Sequence, residues 1–199
     1  MMAFSLSVNE LAVLYFVYLT MNSIITTDRL KIRNWLESDI AALVQMNKDR
    51  DVMRYFLSTM SDRESFDFYN RISAHFNKTG FGLYVVESRE SNEFLGYTGF
   101  MIADFESSFT PCTEIGWRFN KQFWGKGFAT EAAKACLDYG FSILNFEKVY
   151  SFTSKHNKKS EAVMKRIGMS KIGEFSHPKV PVNNELRLHV NYIIEKKDI

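Results

Sequence analysis

From Thr26 onward, apolar positions alternate in some runs and recur every three or four residues in others, so strand-like and helix-like pieces follow one another along the chain. TDRLKIRNW (27–35) puts Leu30, Ile32 and Asn34 on one face and predicts an edge strand. Ser38 and Asp39 stand where a helix cap belongs, ahead of Ile40, Leu43, Val44 and Met46 as a buried side. DVMRYF (51–56) predicts a further helical turn or two. Ser61 and Glu64 have capping-box spacing, and Phe66, Phe68, Tyr69, Ile72 and Phe76 follow at helical intervals until Gly80. GLYVVES (82–88) and EFLGYTGFMI (93–102) are separated by a hairpin-length gap, and Gly96 and Gly99 predict a bulge or a close backbone approach. After a polar loop (103–111), EIGWRF (114–119) feeds a turn containing Gly125 and Gly127. That turn opens into a helix whose apolar face is Ala129, Ala132, Ala133, Cys136, Leu137, Phe141 and Leu144. KVYSFTS (148–154), a helix begun by HNKKS and stopped by Gly168, and strands MSKIGEF (169–175) and LRLHVNYII (186–194) complete the pattern. The expectation is one α/β domain of α+β type over residues 24–199, a mixed, mostly antiparallel sheet of about seven strands flanked by helices.

Composition narrows the class. A chain of 199 residues with 46% hydrophobic and 15% aromatic positions can bury a real core. Its net charge of +2 gives no electrostatic ground for a nucleic-acid partner. Cys112 and Cys136 are too few for a disulfide framework and lack metal-ligand spacing, so no metal and a cytoplasmic setting are expected. Residues 1–23 form an apolar extension whose run Leu11–Leu19 is shorter than the roughly 20 residues of a spanning helix, and no membrane association is expected.

The glycine turn carries the candidate chemistry. A helix start leaves backbone N–H groups unpaired, and the helix dipole adds positive potential, so phosphate binds there. Gly125-x-Gly127 lacks the Gly-Lys-Ser/Thr ending of a Walker loop and the third small residue of a dinucleotide fingerprint, since Thr130 stands there. The longer phrase Gln122-Phe123-Trp124-Gly125-Lys126-Gly127-Phe128-Ala129-Thr130-Glu131-Ala132, after Glu114-Ile115-Gly116-Trp117, resembles the acetyl-CoA site of the GNAT superfamily of N-acetyltransferases. So does Asn157-x-x-Ser160-x-x-Val163-Met164-x-Arg166-x-Gly168-Met169. The tail from His177-Pro178-Lys179 to Tyr192 looks like the branch with the Rim-type ribosomal-protein N-terminal acetyltransferases.

The resemblance, which covers about Ile24 to Lys196, implies the GNAT fold, with a splayed parallel strand pair forming a CoA cleft. It implies acetyl transfer from acetyl-CoA to a primary amine, either a protein N-terminus or a small molecule, by a monomer or homodimer. Amides around Trp124–Ala129 and the Thr130 hydroxyl would cradle the pyrophosphate, with Gln122 and Lys126 beside it. Lys121, Lys155, Lys158 and Lys159 would add charge. The backbone of Trp117, Arg118 and Phe119 would pair with the pantetheine arm, and an N–H there would polarise the thioester carbonyl.

Proton transfer is less determined. The resemblance puts Glu114 forward as base, with a surface ion pair as its alternative; His177 and His189 are further candidates. Many members place a tyrosine acid where this chain has Met164. Ser160 then becomes the hydroxyl near the sulfur, or simply a helix-start residue, and Asn157 either orients the ligand or caps the helix. Two other readings remain open at this point: a non-catalytic acyl-CoA-binding sensor, and transfer through a covalent Cys112 or Cys136 intermediate.

Overall fold

The computed structural model describes residues 23–198, so the apolar extension lies outside the described residues save for Ser23. Its strands are β1 (Ser23–Thr26), β2 (Leu30–Arg33), β3 (Leu83–Ser88), β4 (Phe94–Ala103), β5 (Cys112–Phe119), β6 (Lys148–Ser154), β7 (Ser170–Ser176) and β8 (Leu188–Glu195). The helices are α1 (Ile40–Lys48), α2 (Asp62–Thr79), α3 (Phe128–Ser142) and α4 (Lys158–Arg166). The strands make one eight-stranded sheet in the order β1-β2-β3-β4-β5-β6-β8-β7. Among the described residues only β5 and β6 run parallel; the other neighbours are antiparallel.

Two elements differ from the expectation. Residues 27–35 are not one strand. Thr27 N–H donates to Leu30 O at 3.0 Å and Leu30 N–H to Thr27 Oγ1 at 3.0 Å, which folds the chain back so that β1 and β2 form a hairpin. That adds an eighth strand. Residues 51–56 form turns instead of a helix, because the Asp49 carboxylate accepts from the N–H groups of Asp51 and Val52 and draws the backbone into an Asx turn. Ser38 likewise does not cap α1: Glu37–Asp39 is a short 3₁₀ turn, and Asp39 turns its carboxylate to the sheet.

Local chemistry explains the rest. Ser61 and Glu64 close the predicted capping box, and Gly80 ends α2 in the left-handed region. In β4, a Cβ on Gly96 would stand 2.1 Å from the Arg118 carbonyl oxygen, so the strand pair tolerates no side chain there. α3 and α4 cover one face of the sheet, where Ala132, Ala133, Cys136, Leu137, Val163 and Met164 pack on Ile32, Val86, Ile115, Val149 and Tyr192. α1 and α2 cover the other face, with Leu43, Met46 and Ile72 against Leu83 and Tyr97. On that same face, Phe105, Phe109, Tyr150, Phe152 and Phe175 form a third, aromatic cluster. No helix among the described residues is long and apolar enough to cross a membrane.

A buried ion triad ties α1 to β2 and β3. Arg33 donates through Nη1 and Nη2 to both oxygens of Asp39, at 2.7 and 2.9 Å, and through Nε to Glu87 at 2.9 Å. Asp39 also accepts from Leu36 N–H at 2.8 Å. Removing the cation leaves the buried Asp39 carboxylate without an ion-pair partner and Glu87 with Lys31 alone, at 3.7 Å. Arg33→Ala is therefore expected to destabilise the fold by about 3–5 kcal/mol, read as a lowered urea midpoint. A change below about 1 kcal/mol would mean that water replaces the guanidinium freely.

Candidate functional site

β5 and β6 meet at one residue pair, Glu114 with Tyr150, and then separate. β5 is paired with β4 over its whole length and β6 with β8 over all of Lys148–Ser154, so each is held from its outer edge. Side-chain bonds show which way the β5 backbone faces. Ile115 O accepts from Ser151 Oγ of β6 at 2.9 Å, and Phe119 O accepts from Trp124 Nε1 at 2.8 Å. Trp117 lies between them on the same period of two, so its N–H and C=O face the gap. Of the three residues expected to pair with a ligand, Trp117 keeps an open backbone edge. The Phe119 carbonyl is already bonded, and Arg118 faces Tyr97 across β4 and sends its side chain to the opposite face.

The glycine turn closes one end of this gap. Gly125 and Gly127 have φ of 75° and 83°, the left-handed region that admits glycine without strain. The first bond of α3 is Glu131 N–H to Gly127 O, so the amides of Phe128, Ala129 and Thr130 must find partners outside the helix. Trp124 N–H is spent on Lys121 O, which moves the start of the free amides to the glycines. Sequence reasoning missed the clamp beneath the turn. From the β1–β2 hairpin, Arg29 donates to Lys126 O at 3.0 Å and to Glu131 at 2.7 Å, and Thr27 Oγ1 donates to Glu131 Oε1 at 2.6 Å. Burial works to raise the Glu131 pKa, but these bonds prevail and hold it below the usual carboxylate range. Among the lysines, Lys121, Lys155 and Lys158 are paired with Asp51, Glu174 and Glu161. Lys126 and Lys159 instead lie over the rings of Phe123 and Trp124, beside the turn. Gln122 reaches Glu93 at 3.0 Å.

α4 begins across the gap. Asn157 caps it, its Oδ1 accepting from Ser160 N–H at 3.2 Å while Nδ2 donates to Thr153 Oγ1 at 3.1 Å. The Ser160 hydroxyl has no partner among the described residues and is half-buried. Met164 is fully buried in the core. Tyr192 does not replace the missing tyrosine: its hydroxyl donates to Glu161 at 2.9 Å, and burial and that carboxylate push its pKa up to about 12.

The other face of β5 presents Cys112, Glu114, Gly116 and Arg118 in succession. Glu114 is half-buried with no ion-pair partner among the described residues, and burial pushes its carboxyl up to about 8. His177 and His189 sit in the neighbouring aromatic cluster, their rings 4.9 Å apart. Burial and mutual repulsion bring His177 down to about 4, and burial lowers His189, so both are neutral at pH 7. His177 Nδ1 already accepts from Lys179 N–H. Neither cysteine is activated: burial pushes Cys112 up to about 11, and Cys136 is fully buried with its pKa raised further.

A family model described as an acetyltransferase (GNAT) domain matches residues 29–170. The chain is 32% identical over 161 residues to YnaD of Bacillus subtilis, an uncharacterised N-acetyltransferase, covering 81% of this chain and 90% of the relative. A shorter match, 43% identical over 56 residues and covering 28% of this chain and 30% of the relative, is to the spermidine N(1)-acetyltransferase of Escherichia coli. The solved structure of a GNAT-family acetyltransferase from Bacillus anthracis superposes with a TM-score of 0.72 at 28% identity, covering 87% of this chain and 98% of the other.

The Glu114 geometry has a consequence for stability. A carboxyl whose folded pKa lies near 8 binds its proton more tightly when folded than the unfolded value of about 4.3 allows, so stability falls as pH rises between the two. Glu114→Gln removes that term. The variant is expected to gain on the wild type progressively from about pH 4.3 to about 8, measured by urea unfolding across pH. A pH-independent difference would put the carboxylate in bulk water.

Proposed function

This chain belongs to the acetyltransferase (GNAT) family, and from that premise we propose that it transfers the acetyl group of acetyl-CoA to a primary amine by direct attack in a ternary complex. The observation that carries the reading is the open Trp117 backbone edge in a gap that ends at the unpaired amides of the glycine turn. A pyrophosphate suits those amides, and a pantetheine arm, with its two amide groups, suits a strand edge that lacks a neighbour. The residues present fit the cosubstrate.

In this reading the amides from Gly125 to Thr130 and the Thr130 hydroxyl hold the pyrophosphate, and Lys126 and Lys159 add charge beside it. Trp117 N–H donates toward the thioester carbonyl and stabilises the charge that develops on its oxygen as the amine adds. Glu114 accepts the proton that the amine nitrogen loses as the N–C bond forms. Its elevated pKa makes it a base matched to an amine near neutral pH. Ser160 donates its hydroxyl proton to the sulfur as the C–S bond breaks and regains one from solvent. Asn157 acts on Ser160, fixing the first turn of α4 so that this hydroxyl faces the gap. Burial lowers the basicity of both histidines, and His177 Nδ1 already accepts from Lys179 N–H, so Glu114 is the stronger base on that face.

Two measurements test the proposal. Release of free CoA thiol is followed with a panel of amines; the wild-type kcat/KM profile is expected to bend at about 8, below the bend that each amine's own deprotonation adds at about 10, and Glu114→Gln is expected to keep the amine's bend alone. A wild-type profile with the amine's bend alone would remove Glu114 as base. Gly125 has a positive φ but open space where a Cβ would stand, which separates charge from bulk. Gly125→Asp is expected to weaken acetyl-CoA binding by at least about tenfold by calorimetry, whereas Gly125→Asn, equal in size and at ease with positive φ, costs about threefold or less. Equal effects of the two would refute the pyrophosphate placement.

A further inference from the structure

Arg118 is a buried cation without a counter-ion. It is 7% exposed, and among the described residues its one hydrogen bond is from Nη1 to the neutral amide oxygen of Asn47 at 2.6 Å. Its Nε–H is buried and has no partner. No carboxylate of the described residues lies within ion-pair distance of it. The other buried arginine, Arg33, shows the usual arrangement, with two carboxylates around one guanidinium. Around Arg118 are instead the rings of Phe56 at 4.2 Å, Tyr97 at 5.4 Å and Phe68 at 5.5 Å. Ring faces compensate a desolvated cation in part and leave its fork free for an anion.

Its position gives that fork a use. Glu114, Gly116 and Arg118 share one face of β5, opposite the face packed by α3. A Cβ on Gly116 would meet nothing within 4 Å, so the strand offers an open floor between the carboxylate and the guanidinium. Phe56, which covers the guanidinium, is itself 45% exposed and belongs to the turns between α1 and α2. Phe56 is thus the solvent-facing side of the ring cage around Arg118.

We propose that Arg118 is the anion receptor of the acceptor site, and that the acceptor is a small amine bearing a carboxylate. The inference rests on the acetyl-transfer reading and names its acceptor class. Gly116 to Arg118 is two residues, about 7 Å along the strand, a span that suits an amine poised over Gly116 with its carboxylate in the fork of Arg118. A fixed guanidinium at that place opposes a polycation, so spermidine is disfavoured.

The test uses matched pairs that differ by the carboxylate: 4-aminobutanoate against propylamine, β-alanine against ethylamine, and lysine against 1,5-diaminopentane, with spermidine beside them. Binding to the CoA-saturated protein is measured by calorimetry, and turnover by thiol release from acetyl-CoA. The carboxylate member is expected to bind at least about tenfold more tightly, and in Arg118→Met that ratio should fall to about one. Arg118→Gln, which keeps a donor for Asn47, gives the same collapse and serves if the first variant does not fold. Free glutamate and a glutamate-led dipeptide amide, run as a further pair, distinguish an amino-acid acceptor from an acidic peptide terminus. A wild-type ratio of one or less, no binding by any carboxylate member, or a ratio retained in the Arg118 variants overturns the proposal. Absence of turnover with the binding ratio intact would overturn the catalytic reading and leave the receptor standing; turnover of plain amines with no ratio would do the reverse.

Discussion

Two parallel strands secured from opposite sides and joined to each other at Glu114 and Tyr150 set the terms for the rest of this molecule. Parallel neighbours in a sheet normally share a continuous ladder, and an unshared inner edge leaves backbone groups that need partners. Here β4 and β8 satisfy the outer edges completely, so the inner edges can remain apart without loosening either strand. Protein groups fill part of the opening. Ser151 reaches the Ile115 carbonyl and the Trp124 indole reaches that of Phe119, leaving the stretch about Trp117 free. The gap is thus a product of hydrogen-bond accounting.

The mouth of the gap depends on residues distant in sequence. Arg29 and Thr27 stand about a hundred residues before Glu131, yet they fix both the carbonyl of Lys126 and the first turn of α3. Without that anchor, two glycines with positive φ would give a mobile loop with many conformations. Holding the amides in place beforehand lowers the entropic cost of ordering them around an anion.

Features that depend on neighbours in sequence were legible. The Ser61–Glu64 box, the Gly80 stop, the helix after Gly127 and the strand Lys148–Ser154 follow from capping chemistry and periodicity, and the structure agrees. The glycine-turn phrase pointed to the family, and the family match bears that out. Features set by distant partners were not legible. Nothing local distinguishes Arg33 and Arg118, buried and differently compensated, from the many exposed arginines. The order that inserts β8 between β6 and β7 is a matter of pairing, on which periodicity is silent. The Asx turn at Asp49 overrode an apolar spacing that suited a helix. The Asn157 cap was open to two readings because one side chain can bond backbone or ligand, and the structure shows both of its ends engaged within the protein.

The alternation of β5 divides its residues into two independent sets. Ile115, Trp117 and Phe119 point toward α3 and belong to the common core, whereas Cys112, Glu114, Gly116 and Arg118 point away from it. In the proposed reaction the gap-side backbone serves the donor and the second set faces the acceptor, so Gly116, with empty space above it, is the position where a new side chain would reshape the acceptor side with the least resistance.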